Sequence, residues 1–144
     1  MDLNQLLCFY ENLYNLENLS QDLENIDTVI MAGIFPHITN HVEIIKTITD
    51  SNAQNIIIDS SLIGPIYEHR DLPLATIYAE PTADDMNIIK TDSDRKYELI
   101  MNITEPYLTK ILNFYGWEKV RCSYYQTKFH YEKPSNRFVV TYTR

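Results

Sequence analysis

Two runs of mainly apolar residues stand out along the chain, at residues 28–34 (TVIMAGI) and 54–60 (QNIIIDS). Apolar, β-branched runs of this length are typical of strands that are covered on both faces. Between them, Asn40 is followed three residues later by an acid, a spacing that favours a helix start. The buried face of that helix is predicted to consist of Val42, Ile44, Ile45 and Ile48. The pattern therefore predicts a βαβ unit, whose crossover should be right-handed.

Helical spacing of apolar residues also marks the first part of the chain. Residues 2–16 carry a wide apolar stripe, which predicts an amphipathic helix. The stripe consists of Leu3, Leu6, Leu7, Tyr10, Leu13 and Tyr14. A second short helix or turn is expected at residues 20–25.

After Ser61 the hydrophobic pattern weakens until about Asn102, and three prolines divide this stretch into short pieces. A long irregular segment inside a compact domain is often a lid or a binding loop. Within it we expect a short strand at 74–80 (LATIYAE) and the beginning of a helix at 84–90 (DDMNIIK).

A strong helix start follows the irregular segment. Thr104 can cap the helix, Glu105 places an acid at its positive end, and Pro106 suits the first turn. Gly116 is placed to end the helix in a left-handed conformation. The predicted apolar face consists of Leu108, Ile111, Leu112 and Tyr115.

Two β-rich runs close the sequence, at residues 117–129 and 136–143. Pro134 and Ser135 suit the connection between them, so the pattern predicts an antiparallel hairpin. We expect a single α/β domain over residues 1–144, with a helical segment at 1–26 and a half-sheet core at 27–144.

Length and charge narrow the possible functions. The 144 residues carry a net charge of −8, which is unevenly distributed. Residues 117–144 hold six basic and two acidic residues (+4), and residues 1–116 hold six basic and eighteen acidic residues (−12). Because so acidic a body repels a phosphate backbone, the charge argues against a general nucleic-acid binder.

The compartment is predicted from what the sequence does not contain. No apolar run approaches the ~20 residues of a membrane span, and the first residues do not resemble a signal peptide. The two cysteines, Cys8 and Cys122, lie far apart and suit neither a disulfide framework nor a paired metal site. We therefore expect a cytoplasmic protein with reduced thiols and no membrane partner.

From Asp27 onward the sequence resembles the C-terminal half of class I S-adenosylmethionine-dependent methyltransferases. "DTVIMAGIFPHI" resembles the family's fourth strand, with Pro36 before His37 where the family usually has tyrosine or histidine, and "QNIIIDSSL" resembles the fifth. "TEPYLTKILNFYGWEKV" resembles its last helix and the Gly-aromatic step that leads into the penultimate strand. "NRFVVTYTR" resembles the last strand, which inserts antiparallel into the sheet. The resemblance implies a partial Rossmann-like sheet of about four strands and, as a possible cofactor, S-adenosylmethionine.

The sequence departs from this family at the cofactor site. The family binds its cofactor with a glycine-rich loop after the first strand and an acid after the second, and three of its strands have no counterpart here. The chain has three glycines, none close to another. One copy of the chain should therefore bind the cofactor weakly or not at all. The strand at 28–34 should also leave an unpaired edge, which self-association or a second protein chain would cover.

The loop after that strand is the main candidate site. In open α/β sheets, ligands bind beyond the carboxyl ends of the strands. We expect Gly33, Phe35 and His37 to line a cleft there, beside Ser60 and Ser61, as cofactor-binding residues. The alternative is that Phe35 and His37 pack under the N-terminal helices as core.

Catalytic residues cannot be assigned from the sequence, but three candidates are His37, Glu68 and His69. Glu68 and His69 lie in the irregular segment and could act in acid–base catalysis, but a solvated turn is the more common explanation for such a cluster. His37 and His41 have the spacing of two metal ligands on a helix, but no third ligand is evident, so no metal site is expected. The aromatic and basic residues after 117 could contact another protein or, less readily, nucleic acid.

Two functions of different classes follow from these patterns. The first is a methyltransferase-like protein that is truncated or depends on a partner, with its site beyond Gly33 closed by a second chain. The second is a non-catalytic protein-interaction module that retains half of the fold and binds through its acidic body or its tyrosine-rich hairpin.

Overall fold

The chain forms a mixed α/β fold in a computed structural model that describes residues 23–62, 64–81, 97–128 and 134–144. The strands are β1 (Thr28–Ala32), β2 (Asn55–Leu62), β3 (Ala75–Pro81), β4 (Tyr97–Ile103), β5 (Glu118–Lys128) and β6 (Pro134–Thr143). The helices are α1 (His41–Asp50) and α2 (Glu105–Phe114). Short 3-10 turns occupy Leu23–Asn25, Phe35–His37 and Gly64–Tyr67.

Four strands form the main sheet in the order β1-β2-β6-β5. β1 and β2 are parallel, and β6 lies between β2 and β5, antiparallel to both. The predicted pair of strands joined by a helix is therefore confirmed, as are the C-terminal hairpin and the antiparallel insertion of its last strand. Pro134 and Ser135 belong to β6, so their prediction as part of the connection is wrong.

β3 and β4 form a separate two-stranded antiparallel sheet. The expected strand at 74–80 corresponds to β3. β4 was not predicted, because its apolar positions stand at the end of a long stretch of mixed composition. The helix start expected at 84–90 lies outside the described residues.

One face of the main sheet packs against the two helices and forms the hydrophobic core. The sheet contributes alternate residues, among them Ile56, Ile58, Phe138 and Val140, which are fully buried. Because side chains in a strand alternate between faces, these residues share one side of the sheet. We call this side the first face.

The buried stripe of α1 differs from the prediction at one position. Ile44, Ile45 and Ile48 are buried as expected, but Val42 is 48% exposed and His41 is 1% exposed. Positions 41, 44, 45 and 48 follow the spacing of one helix face, whereas 42 lies beside it. A histidine therefore fills the position that an apolar residue was expected to fill.

α2 begins as predicted. Thr104 Oγ1 accepts a hydrogen bond from the Tyr107 N–H and donates one to the Leu72 carbonyl oxygen at 2.5 Å. The same oxygen accepts from the Leu74 N–H at 2.9 Å. Thr104 thus caps the helix and also fastens the strand-like segment before β3. Gly116 ends the helix with a φ of 85°, in the left-handed region.

The opposite side of the main sheet, which we call the second face, is less covered. It carries Ile30, Ile57 and Val139, which alternate with the core residues of their strands. Ile30 is 56% exposed, and Ile57 and Val139 are partly exposed. The first face is therefore the filled side of this sheet.

The N-terminal predictions can be followed only in part. The helix at 2–16 lies outside the described residues, and of the second segment only the turn at Leu23–Asn25 is described. Leu23 is buried in the core. Among the described helices, none is long and apolar enough to cross a membrane.

Candidate functional site

Gly33 turns the chain out of β1 at the carboxyl end of the parallel pair. Its φ is 73°, a conformation that residues with a side chain rarely adopt. Its N–H donates to the Asp59 carbonyl oxygen at 2.9 Å, which holds the turn against β2. The position that the sequence indicated as the start of a site is therefore a fixed left-handed turn.

Phe35 does not line a cleft. Its side chain is fully buried and belongs to the hydrophobic core. Its ring stacks on that of His41, with 4.2 Å between centroids and 13° between planes. The expectation that Phe35 faces an open cleft is wrong, because the turn at 35–37 directs the ring inward. The cofactor-binding role of Phe35 stays a prediction.

His37 and the two serines of β2 differ in their exposure to solvent. His37 is exposed, whereas Ser60 is fully buried and Ser61 is 8% exposed. A cofactor-binding or catalytic role of His37 stays a prediction.

Glu68 and His69 are both exposed in the turn that follows Gly64–Tyr67. The packing contacts of this turn involve their neighbours. Arg70 Nη1 donates to Tyr67 Oη at 3.0 Å, and the guanidinium lies over the rings of Tyr67 and Tyr124 at 5.1 and 5.4 Å. The turn is thus fastened to β5, and the catalytic roles suggested for Glu68 and His69 stay predictions.

Three side chains of the second face form a polar group near Gly33, which we call the rim cluster: Asp59, Tyr125 and Arg137. Arg137 Nε donates to Asp59 Oδ1 at 2.9 Å, and Tyr125 Oη donates to the same oxygen at 2.7 Å. Arg137 Nε also lies 3.3 Å from Tyr125 Oη. One carboxylate oxygen is therefore the common acceptor of both donors.

The rim cluster is partly shielded from water and compensates its own charge. The Arg137 and Asp59 side chains are 12% and 25% exposed. Burial opposes the charge of Arg137, but the hydrogen bonds with Asp59 and Tyr125 outweigh it and raise the pKa of the guanidinium. Burial and the hydrogen bond with Asp59 raise the pKa of Tyr125. Arg137 thus stays a cation and Tyr125 a neutral donor near neutral pH.

Arg137 also covers the outer side of the Gly33 turn. Its Nη2 atom lies 3.6 Å from the place where a Cβ of residue 33 would stand. The surface that a ligand would use above Gly33 is therefore bordered by a guanidinium. The sequence analysis missed this cluster because its residues, 59, 125 and 137, meet only through the strand register. Asp59, an acid inside the apolar run of β2, was the one sign in the sequence of a polar site on this strand.

A second polar network lies beneath the first turn of α2. Glu105 is 5% exposed, accepts from Thr109 Oγ1 and lies 3.2 Å from Lys119 Nζ. Tyr142 Oη lies 2.7 Å from Thr109 Oγ1, and burial together with the nearby Glu105 raises the pKa of this phenol. A shallow groove beside the network is lined by Thr109, Asn113, Gly116, Trp117, Glu118 and Lys119. The network holds a buried carboxylate in place between α2 and the sheet.

No metal centre is built by the residues that the structure describes. In these ranges no three His, Cys, Asp or Glu side chains stand close enough to share an ion. His41 is buried, with Nε2 3.0 Å from the Phe35 carbonyl oxygen. Cys122 is a free, half-buried thiol, and burial raises its pKa; Cys8 lies outside the described residues.

The described residues do not fit a complete S-adenosylmethionine site. Such a site requires a backbone that can approach the cofactor closely, which glycines allow. The two described glycines with positive φ, Gly33 and Gly116, are far apart in the sequence, and neither belongs to a glycine-rich loop. Gly33 is bordered by Arg137, and Phe35 points into the core.

Comparison with known proteins establishes the fold. No protein-family model matches this chain, and no curated protein matches it. Among solved structures, it resembles the crystal structure of a SAM-dependent methyltransferase from Methanosarcina mazei, with 11% sequence identity and a TM-score of 0.54. The likeness covers 82% of this chain and 58% of that one. The chain therefore has a methyltransferase-like α/β fold and spans little more than half the length of the protein it resembles.

Proposed function

We propose that this chain is a partner-dependent, methyltransferase-like protein, which binds S-adenosylmethionine only after another protein chain has joined the free edge of β1. The observation that carries the proposal is the position of β1. It lies at the edge of the main sheet, and within the described residues it pairs with β2 alone. The likeness to a SAM-dependent methyltransferase, of which this chain covers 58%, supports the choice of S-adenosylmethionine as the ligand to test.

The free edge is suited to pairing. β1 contains no proline, glycine or charged residue, which are the usual means of protecting an edge strand. The Gly33 N–H donates to the Asp59 carbonyl oxygen, and the Asp27 carbonyl oxygen accepts from the Gln54 and Asn55 N–H groups. The backbone groups of odd-numbered residues in this strand therefore point toward β2. Because these directions alternate, the N–H groups of Thr28, Ile30 and Ala32 point outward.

The cofactor prediction can be tested with the isolated chain. Calorimetric titration with S-adenosylmethionine should give weak binding or none, because the described residues provide no glycine-rich loop. Tight binding by a monomer, with the monomer confirmed by sedimentation in the same sample, would contradict partner dependence.

The edge can be tested by removing one outward donor. Ile30→Pro deletes an N–H that does not belong to the β1–β2 ladder, and proline is tolerated at such edge positions. Ile30→Val keeps the N–H and serves as the matched control. If copies of this chain pair through β1, sedimentation at micromolar concentration should show association for wild type and Ile30→Val but not for Ile30→Pro. Equal association of all three proteins would place the contact elsewhere.

A non-catalytic interaction module is the second candidate function. It is favoured by the way the chain's own residues occupy the surroundings of Gly33. Phe35 is fully buried and the Arg137 guanidinium borders the turn. If an assembly that includes β1 pairing binds no S-adenosylmethionine, this second function is preferred over the first.

A further inference from the structure

β1 and β5 lie at the two edges of the main sheet, and the two edges differ in their chemistry. β1 has no charged residue and no proline. β5 carries Lys119, Arg121 and Lys128, and its register with β6 is irregular between Lys119 and Arg121. Charged side chains, lysine above all, and bulges keep an edge strand from pairing with another chain. Of these two edges, β1 is therefore the one suited to pairing.

The backbone groups of the β1 edge are complementary to themselves. Thr28, Ile30 and Ala32 direct their N–H and C=O groups away from β2, because those of Val29 and Met31 face it. In an antiparallel pair, residues of this kind stand opposite each other and exchange two hydrogen bonds. If Ile30 faces Ile30 of a second copy, Thr28 faces Ala32 at both ends of the contact. No other register of two β1 strands places all three outward residues opposite an outward residue.

The side chains in this register also favour the contact. Ile30 is 56% exposed on the second face. A two-fold axis perpendicular to the sheet keeps the second faces of both copies on the same side, so the two Ile30 side chains become neighbours and cover each other. Asp27 comes to lie opposite Gly33 of the other copy, about 20 Å from the second Asp27. Among residues 27–33, therefore, no like charges face each other, although the chain carries a net charge of −8.

Pairing of β1 with β5 of a second copy would have a different outcome. Such a contact leaves one β1 edge and one β5 edge free, so further copies would join and the assembly would grow as an open chain. The two-fold contact uses the β1 edges of both copies and ends at two protected β5 edges. It therefore closes as a dimer.

We propose that two copies of this chain pair through β1 in antiparallel orientation, with the two-fold axis at Ile30, so that their four-stranded sheets join into one. The inference names the chain that joins β1, and it rests on the proposed function for the free edge of that strand. It does not require S-adenosylmethionine.

Disulfide formation tests the register directly. In a background of Cys8→Ser and Cys122→Ser, Ile30→Cys places one thiol of each copy at the two-fold axis. Opposite residues of such a pair have Cα atoms about 5.5 Å apart, which is within the range of a disulfide. Mild oxidation should therefore convert this variant into a covalent dimer.

Thr28→Cys and Ala32→Cys in the same background are the matched controls, because both residues lie on the same strand and the same face as Ile30. Each of these thiols lies about 13 Å along the strand from its own copy. Each variant alone should therefore cross-link at least about tenfold more slowly than Ile30→Cys. An equal mixture of the two controls should instead form the mixed disulfide between positions 28 and 32, at a rate close to that of Ile30→Cys.

Two results would overturn the proposal. Equal rates for the three single variants would show that the thiols meet by collision, without a fixed register. An Ile30→Cys protein that forms no disulfide, while the wild type sediments as a monomer at micromolar concentration, would show that copies do not pair through β1. Circular dichroism of the reduced proteins checks their folding, and sedimentation of Ile30→Pro beside the wild type tests the same contact without a new thiol.

The pairing and the proposed function can fail separately. A cross-linked Ile30→Cys dimer that binds no S-adenosylmethionine in calorimetric titration would confirm the pairing and contradict the proposed function. Binding of S-adenosylmethionine only when a different protein occupies the β1 edge would support the proposed function and overturn the pairing of two copies.

Discussion

Acidification should destabilise this protein through His41. The ring is 1% exposed and stacks on Phe35. Its Nε2 atom lies 3.0 Å from the Phe35 carbonyl oxygen, and a carbonyl can only accept, so Nε2 carries the proton. Nδ1 is buried and has no hydrogen-bond partner among the described residues. A second proton on the ring would therefore be a buried donor without an acceptor.

The sign of the effect follows from this geometry. Burial lowers the pKa of His41 below its ordinary value of 6.5, and the hydrogen bond with Phe35 opposes the change without cancelling it. Below that ordinary value the unfolded state binds a proton that the folded state does not. Stability is therefore complete above pH 6.5 and falls as the pH decreases toward the lowered pKa of the folded protein.

The ordinary pKa of His41 in the unfolded state sets an upper limit to the loss of stability. One pH unit below 6.5, a folded protein that keeps His41 neutral loses about 1.4 kcal/mol of unfolding free energy relative to neutral pH. For a chain of this size, that loss corresponds to a decrease of roughly 4 °C in the melting temperature.

The assay compares the wild type with His41→Gln between pH 8 and pH 5. The glutamine amide can still donate to the Phe35 carbonyl but does not titrate. Other groups contribute to both proteins, so the difference between their unfolding free energies isolates His41. Between pH 8 and pH 5 that difference should change toward the variant by at most about 2 kcal/mol, the value for a ring that stays neutral throughout. A difference that is independent of pH would show that His41 is solvated or that a partner receives its second proton.

Three further predictions concern single side chains. Gly33→Ala and Gly116→Ala should each lower the unfolding free energy by about 1 kcal/mol in denaturant titrations. Both positions need a positive φ, and neither new Cβ meets a severe contact. A much larger loss at Gly33 would mean that the Arg137 side chain cannot move away from the new Cβ. Thr104→Ala should cost about 1–2 kcal/mol in the same assay, and Thr104→Ser much less, because the hydroxyl both caps α2 and bonds to the segment before β3. Asp59→Asn and Arg137→Gln should show a coupling of about 1 kcal/mol in a double-mutant cycle, reduced from that of a buried pair by the partial exposure of both groups; additive effects would contradict the ion pair.

Much of the main sheet could be predicted because its signals are local. The apolar runs at β1 and β2, the helix cap at Thr104 and the turn at Gly116 each depend on a few neighbouring residues. The insertion of β6 between β2 and β5 was expected only from the resemblance to methyltransferases. β4 was missed because its pattern becomes clear only when β3 is placed opposite it.

The surroundings of Gly33 could not be predicted in the same way. Sequence spacing placed Phe35 on the rim of a cleft, but the 3-10 turn directs its ring onto His41. The rim cluster joins β2 with both strands of the hairpin, so its assembly depends on long-range register. Likewise, the burial of His41 rather than Val42 depends on the ring of Phe35, which lies outside the helix.

The position of β6 has a consequence for how the chain acquires its structure during synthesis. β6 is made after every other strand that the structure describes, yet it lies between β2 and β5 and pairs with both. Until its residues are available, β5 has no neighbour in the main sheet and β2 pairs with β1 alone. The β1–β2 pair and β5 can therefore join into one sheet only when residues 134–143 have left the ribosome. During that interval β2 exposes a second unpaired edge, and the nascent chain is most open to mispairing then.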